Sequence, residues 1–83
     1  MEAFKSYKQV LDHLGELVAD ALDINRRHIE VLSIETGEKI GITEYSIEYH
    51  IKFKMDGEHR TGKWIVSYWR DGSVTEKILI DQT

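Results

Sequence analysis

The sequence predicts an α+β fold in which one N-terminal helix packs on a four-stranded antiparallel meander sheet, the arrangement αββββ. Three observations lead to this prediction. Apolar residues recur at helical spacing over the first two dozen positions, they alternate with polar residues over positions 43–54, and two Asp-Gly pairs mark hairpin turns. With 83 residues, the chain is long enough for a single domain, 1–83, with one thin core.

Residues 1–24 are predicted to form the helix. Asn25, which tolerates the left-handed conformation, is the predicted stop, and Arg26, Arg27 and His28 then place positive charge near the helix C-terminus. The apolar positions fall on one broad stripe, as expected for a helix that packs on a sheet. The stripe consists of Phe4, Tyr7, Val10, Leu11, Leu14, Leu17, Val18, Ala21 and Leu22.

Residues 28–83 are predicted to form the sheet. The first strand is rich in β-branched residues, and Thr36-Gly37-Glu38-Lys39 is its predicted turn. The second strand shows the clearest pattern, because its apolar residues alternate with polar ones and so define one buried face. Asp56-Gly57 and Asp71-Gly72 are the predicted turns that follow. The four predicted strands run from His28 to Glu35, from Thr43 to Lys54, from Lys63 to Arg70 and from Ser73 to Asp81.

The composition excludes several classes of function. The chain contains no cysteine, so disulfides, thiolate nucleophiles and cysteine-bound zinc are excluded. The formal net charge of −4 gives no basic excess, which argues against a nucleic-acid partner. Because the sequence has no apolar run long enough to span a membrane and no secretory leader, we expect a cytoplasmic protein without a membrane partner.

The last hairpin admits two registers, and the sequence leaves both open. A two-residue turn at Asp71-Gly72 puts five apolar residues on the sheet face that points away from the helix, and four of them form a candidate interface. Alternatively, a bulge or a longer loop, for which residues 55–62 offer room, shifts one register by one residue and returns Val74, Ile78 and Ile80 to the core. The predicted interface residues are Ile65, Trp69, Val74 and Ile78.

A candidate polar site lies on the other face of the second strand. His50 can titrate near neutral pH, and strand positions two apart lie about 7 Å from each other, so that Glu48 can tune the imidazole. The alternative is a solvated strand face with alternating charges, and no catalytic, phosphate-binding or metal-ligand motif accompanies these residues. We therefore expect no enzyme activity, no metal and no cofactor. The polar site consists of Glu44, Glu48, His50 and Lys52.

Together these patterns predict a small non-enzymatic protein-interaction module that acts through its sheet face, as a homodimer or with another protein, in the manner of an inhibitor or a regulator. Trp69 is the residue type in which interface hot spots are rich. Two alternatives stay open. Basic residues around Trp69 offer a platform for single-stranded nucleic acid, and the aromatic residues between helix and sheet can line a small-ligand pocket instead of filling a core. The basic residues are Lys52, Lys54, Arg60, Lys63 and Arg70.

Overall fold

The computed structural model describes residues 6–40 and 45–81. The order of elements in these residues is one helix, a short 3₁₀ turn and four strands, so the predicted αββββ fold is confirmed. Phe4 of the predicted helix stripe and Glu44 of the predicted polar site lie outside the described residues. The elements are α1 (Tyr7–Leu22), the 3₁₀ turn (Arg26–His28), β1 (Ile29–Ile40), β2 (Tyr45–Met55), β3 (Glu58–Tyr68) and β4 (Val74–Ile80).

Local hydrogen bonds define both ends of α1. The Oγ of Ser6 accepts a bond of 3.3 Å from the backbone N–H of Gln9, as N-capping residues do. At the other end Asp23 takes the left-handed conformation, with a φ of 58°, and its N–H bonds to helix carbonyls. The helix therefore stops earlier than the predicted stop at Asn25. Asn25 instead caps the 3₁₀ turn, since its side chain accepts from the N–H of Arg27.

The sheet is a meander with strand order β1-β2-β3-β4, and every neighbouring pair is antiparallel. Asp56 and Gly57 form the predicted two-residue turn, because their φ angles are 50° and 87° and the strands pair directly on either side. β1 continues to Ile40 through two irregularities in its pairing with β2. The turn predicted at residues 36–39 is therefore wrong, and those residues belong to an irregular stretch of the strand.

The hairpin between β3 and β4 differs from the predicted two-residue turn. Trp69 donates its backbone N–H to the carbonyl of Ser73 at 2.9 Å, which leaves residues 70–72 as a three-residue loop. Gly72, with a φ of 92°, is the left-handed residue that such a loop needs. The additional loop residue shifts the register of β4 by one. The longer-loop alternative is thus the one that the structure shows, although at this turn and not within residues 55–62.

The shifted register turns the apolar side chains of β4 toward the helix. Val74 pairs with Tyr68 and Ile78 pairs with Trp64, and paired residues lie on the same side of a sheet. Val74, Ile78 and Ile80 pack against the core. The core consists of Leu14, Val18 and Ala19 from α1, Ile29 and Val31 from β1, Ile51 and Phe53 from β2, and Trp64 and Val66 from β3.

The opposite side of the sheet, which we call the outer face, is not covered by α1. Most of its side chains are polar or charged, as expected of a sheet face in water. Within the described chain, no helix is long and apolar enough to cross a membrane. The outer face consists of Glu30, Ser33 and Glu35 of β1, Ser46, Glu48, His50, Lys52 and Lys54 of β2, His59, Thr61, Lys63, Ile65 and Ser67 of β3, and Thr75, Lys77 and Leu79 of β4.

Candidate binding groove

The structure separates the four residues of the predicted interface. Ile65 lies on the outer face, and Trp69 follows β3 on the same side with 44% of its surface exposed. Val74 and Ile78 lie on the helix side and pack against the core. The four residues therefore do not form one patch. On this side of the described sheet, the large apolar side chains left exposed are Leu79 of the outer face, which is 47% exposed, and Trp69 beside it.

Trp69 is held against the outer face by a hydrogen bond. Its Nε1–H donates to Thr75 Oγ1 at 2.8 Å, and Ile65 lines the shallow depression beside the ring. Arg60, predicted to join a basic platform around Trp69, pairs with Phe53 and so lies on the helix side. Among the described residues, the outer face carries three acidic side chains beside its four lysines, which weakens the attraction for a phosphate backbone. These lysines and acids are Lys52, Lys54, Lys63, Lys77, Glu30, Glu35 and Glu48.

The predicted polar site is present in part. Glu48 Oε2 lies 3.5 Å from His50 Nε2, and Lys52 shares their face. A Cβ on Gly37 would lie 2.7 Å from the Glu48 carbonyl oxygen and 2.8 Å from the imidazole, so glycine allows β1 to pass close to this pair. Among the described residues, no three His, Asp or Glu side chains converge to hold a metal ion. Because the contact between Glu48 and His50 is long and the imidazole is half exposed, it contributes about 0–1 kcal/mol to stability.

A groove of about 320 Å³ opens between the first turns of α1 and the helix side of the sheet. We call it the tyrosine groove. The strand periodicity explains its composition, because Tyr49 of β2 and Trp64, Val66 and Tyr68 of β3 are spaced by two and paired across strands. The lining residues are Tyr7, Val10, Ile34, Thr36, Tyr49, Trp64, Val66 and Tyr68.

Aromatic rings stack across the strands along the tyrosine groove. The ring centroids of Tyr49 and Trp64, a cross-strand pair, are 5.0 Å apart with an interplanar angle of 32°. Tyr45 and Tyr68 form the next such pair toward the end of the sheet, at 5.5 Å and 49°. Tilted ring pairs at these distances are favourable beyond their burial. Each pair therefore restrains its two rings, and the pairs give the groove an aromatic wall.

The tyrosine groove is polar without being charged. Among the described residues, no side chain that lines the groove carries a charge at neutral pH, and the hydroxyl groups of its tyrosines and of Thr36 can donate and accept hydrogen bonds. Burial raises the pKa of Tyr49, and the neighbouring Tyr68 and Tyr45 hydroxyls raise it further. Tyr49 thus keeps its proton well into the alkaline range. The environment disfavours an anion and suits an uncharged ligand group.

Glu76 fixes the indole at the base of the tyrosine groove. Its Oε1 accepts the Nε1–H of Trp64 at 2.8 Å, and its two carboxylate oxygens lie 2.9 and 3.0 Å from His13 Nε2. Because a carboxylate only accepts, His13 donates in this contact. The two-residue turn considered in the sequence analysis would place Glu76 on the outer face with Glu48, and this placement is wrong, since the register pairs Glu76 with Val66 on the helix side. The sequence feature that could have indicated this position is the need of a buried tryptophan for an acceptor of its N–H.

The chain was compared with protein-family models, with curated proteins and with solved structures. None of the three comparisons finds a match. The chemistry of the tyrosine groove follows from the contacts of the described residues alone: an aromatic wall, uncharged lining and an indole fixed by Glu76.

Proposed function

We propose that this chain is a non-enzymatic interaction module whose tyrosine groove receives an uncharged aromatic or aliphatic side chain of a partner protein. The observation that carries the proposal is the groove itself, whose lining, as far as the structure describes it, contains aromatic rings and no charged side chain. Interface hot spots are richest in tryptophan and tyrosine and lie in pockets that exclude water. The groove presents tryptophan and tyrosine rings in one concave site.

The size of the tyrosine groove favours a protein side chain over a larger ligand. Its volume of about 320 Å³ is at the lower end of the range for small-molecule sites, which is roughly 300–1,000 Å³. This is room for one ring system. Tyr7 and Tyr45 are 58% and 40% exposed beside the groove and extend its aromatic surface. A protein partner can cover these two rings while one of its side chains fills the groove.

The proposal keeps the function class expected from the sequence and moves the contact to the other side of the sheet. The outer face was the expected surface because four apolar residues were placed there. Because Val74 and Ile78 pack on the helix side, that expected surface is divided. The aromatic side chains are instead gathered along the tyrosine groove.

Nuclear magnetic resonance of the ¹⁵N-labelled chain tests the proposal with a side-chain analogue. The probe is p-cresol, the analogue of tyrosine, and the readout is the two indole N–H signals, assigned with the variant Trp69→Phe. We expect p-cresol to shift the Trp64 signal saturably and to leave the Trp69 signal in place, since only Trp64 lines the groove. The anionic analogue 4-methylbenzoate should bind at least roughly tenfold more weakly, because none of the described lining side chains is a cation that could pair with it.

A pair of threonine variants controls for non-specific binding. Thr36 and Thr61 are both exposed on strands, but only Thr36 lines the tyrosine groove. Thr36→Phe fills the groove and should abolish the p-cresol shift at Trp64, whereas Thr61→Phe should leave it intact. Equal shifts at both indoles, or a Trp64 shift that survives Thr36→Phe, would show that the groove is not the binding site.

A further inference from the structure

The two edges of the sheet differ in regularity. β1 pairs with β2 through two register shifts, between Val31 and Ser33 and between Thr36 and Lys39, and such irregularities hinder the addition of another strand. β4 pairs with β3 without a shift along its whole length, and in the described chain no strand lies on its other side. β4 is thus the edge whose geometry accepts a further strand.

The hydrogen bonds at the two ends of β4 show which residues face its open edge. Ser73 accepts from the N–H of Trp69 at 2.9 Å, and Asp81 donates to the carbonyl of Thr61 at 3.1 Å. Bonded and non-bonded pairs alternate along an antiparallel ladder, so the odd-numbered residues of β4 bond to β3. The even-numbered residues therefore direct their N–H and C=O groups to the open edge. They are Val74, Glu76, Ile78 and Ile80.

Apolar side chains flank this edge on both sides of the sheet. Leu79 is 47% exposed on the outer face. Val74, Ile78 and Ile80 touch the core but are only half-buried on the helix side. A strand added at this edge covers all four side chains, so apolar burial adds to the new backbone hydrogen bonds.

We infer that this chain forms a two-fold symmetric dimer in which β4 pairs antiparallel with β4 of a second copy, with Ile78 opposite the partner's Ile78. The charges of β4 and the number of backbone pairs together favour this register. A pairing centred on Leu79 opposes no like charges but forms only two bonded pairs between residues of β4, whereas one centred on Ile78 forms three. A pairing centred on Lys77 sets two lysines opposite each other, and one centred on Glu76 sets two glutamates opposite each other, and like charges in direct opposition are unfavourable.

The register centred on Ile78 places no like charges opposite each other. Thr75 lies opposite the partner's Asp81, Glu76 opposite the partner's Ile80, and Lys77 opposite the partner's Leu79. The Glu76 carboxylate stays bonded to His13 and Trp64.

The dimer closes on itself. Three bonded pairs across the two-fold axis supply about six backbone hydrogen bonds and join the two four-stranded sheets into one. The even-numbered residues pair with each other, so both helices lie on the same side of the joined sheet. Because the remaining edges are the irregular β1 strands, no third copy is added.

The lining residues of the tyrosine groove do not include β4, so the dimer and the groove are independent surfaces.

Sedimentation and register-specific cross-linking test the dimer. The natural chain should sediment with twice its monomer mass at high concentration. Since the chain contains no cysteine, single-cysteine variants report only on the new contact. An equimolar mixture of Lys77→Cys and Leu79→Cys is oxidised mildly, and the covalent products are resolved by mass. Non-bonded antiparallel pairs have Cα atoms about 4.5 Å apart, which suits a disulfide, so the mixed dimer should exceed each homodimer at least roughly fivefold.

The matched control is an equimolar mixture of Lys77→Cys and Thr75→Cys, which are not opposite each other in the inferred register. It should give the statistical ratio of products, about two mixed dimers to one of each homodimer. A natural chain that stays monomeric up to about 1 mM, where the binding free energy is only about 4 kcal/mol, overturns the inference. So does the statistical ratio in both mixtures. Neither result bears on the binding of p-cresol in the tyrosine groove.

Discussion

Glu76 links the fold to the tyrosine groove through a single carboxylate. It lies on the helix side of β4 between Val74 and Ile78, where a carboxylate is costly unless it is hydrogen-bonded. The indole of Trp64 and the imidazole of His13 donate to it from β3 and from α1. These bonds offset the cost of burial. They also join three elements at the ring that forms the base of the groove.

Replacing Glu76 should therefore cost more stability than replacing an acid on the outer face. Glu76→Ala removes the acceptor from a part-buried indole and imidazole, and we expect it to lower the free energy of unfolding by about 1–3 kcal/mol. Glu76→Gln keeps one acceptor oxygen and should cost less. The measurement is urea unfolding followed by tryptophan fluorescence. Glu48→Ala is the matched control, because the Glu48 side chain is buried to a similar degree but its contact with His50 is longer, at 3.5 Å, and an equal loss there would contradict the role given to Glu76.

The turn between β3 and β4 determines which face of β4 meets the helix. Asp-Gly fits a two-residue turn and also the end of a three-residue loop, because both need a left-handed glycine. The structure shows the longer loop, in which Asp71 Oδ1 accepts from the hydroxyl and the backbone N–H of Ser73, at 2.6 and 2.9 Å. These local bonds favour the longer loop. One additional residue in the loop thus moves every side chain of β4 to the opposite face of the sheet.

The bonds from Ser73 should make this turn sensitive to acid. The Ser73 hydroxyl, and then its backbone N–H, hold the pKa of Asp71 below its usual value of 3.8. Because the folded pKa is depressed, the stabilising contribution is fully present above the unfolded value and is lost as the pH falls through the folded one. We expect the Ser73 amide signal to stay constant from neutral pH to about pH 4 and to move below it. The variant Asp71→Asn should abolish this titration, and a midpoint above 3.8 would contradict the assignment.

At the scale of the whole molecule, the repeated hydrophobic pattern predicted the helix and the strands, because each pattern involves many residues. The side of β4 that faces the helix was not predicted, because it depends on the length of one loop. The helix stripe and the alternation in β2 each repeat several times, so one unusual residue does not obscure them. The facing of β4 depends on a single turn, which the sequence left open. The tyrosine groove was foreseen only as an alternative to core filling. Its volume depends on where α1 crosses the sheet, and the local pattern around Tyr49 or Tyr68 does not contain that information.

The two-layer arrangement makes a direct prediction about neighbouring residues of β4. Ile78 packs against the core under α1, whereas Leu79 is 47% exposed on the outer face. Ile78→Ala should therefore lower the free energy of unfolding by about 1–2 kcal/mol, less than a fully buried site because Ile78 is half-buried, and Leu79→Ala by about 0.5 kcal/mol or less. Urea unfolding at low protein concentration separates this effect from dimer formation. A two-residue turn between β3 and β4 would instead place Leu79 in the core, so that Leu79→Ala would cost more stability than Ile78→Ala. The variant that loses more stability therefore identifies the face of β4 that packs under α1.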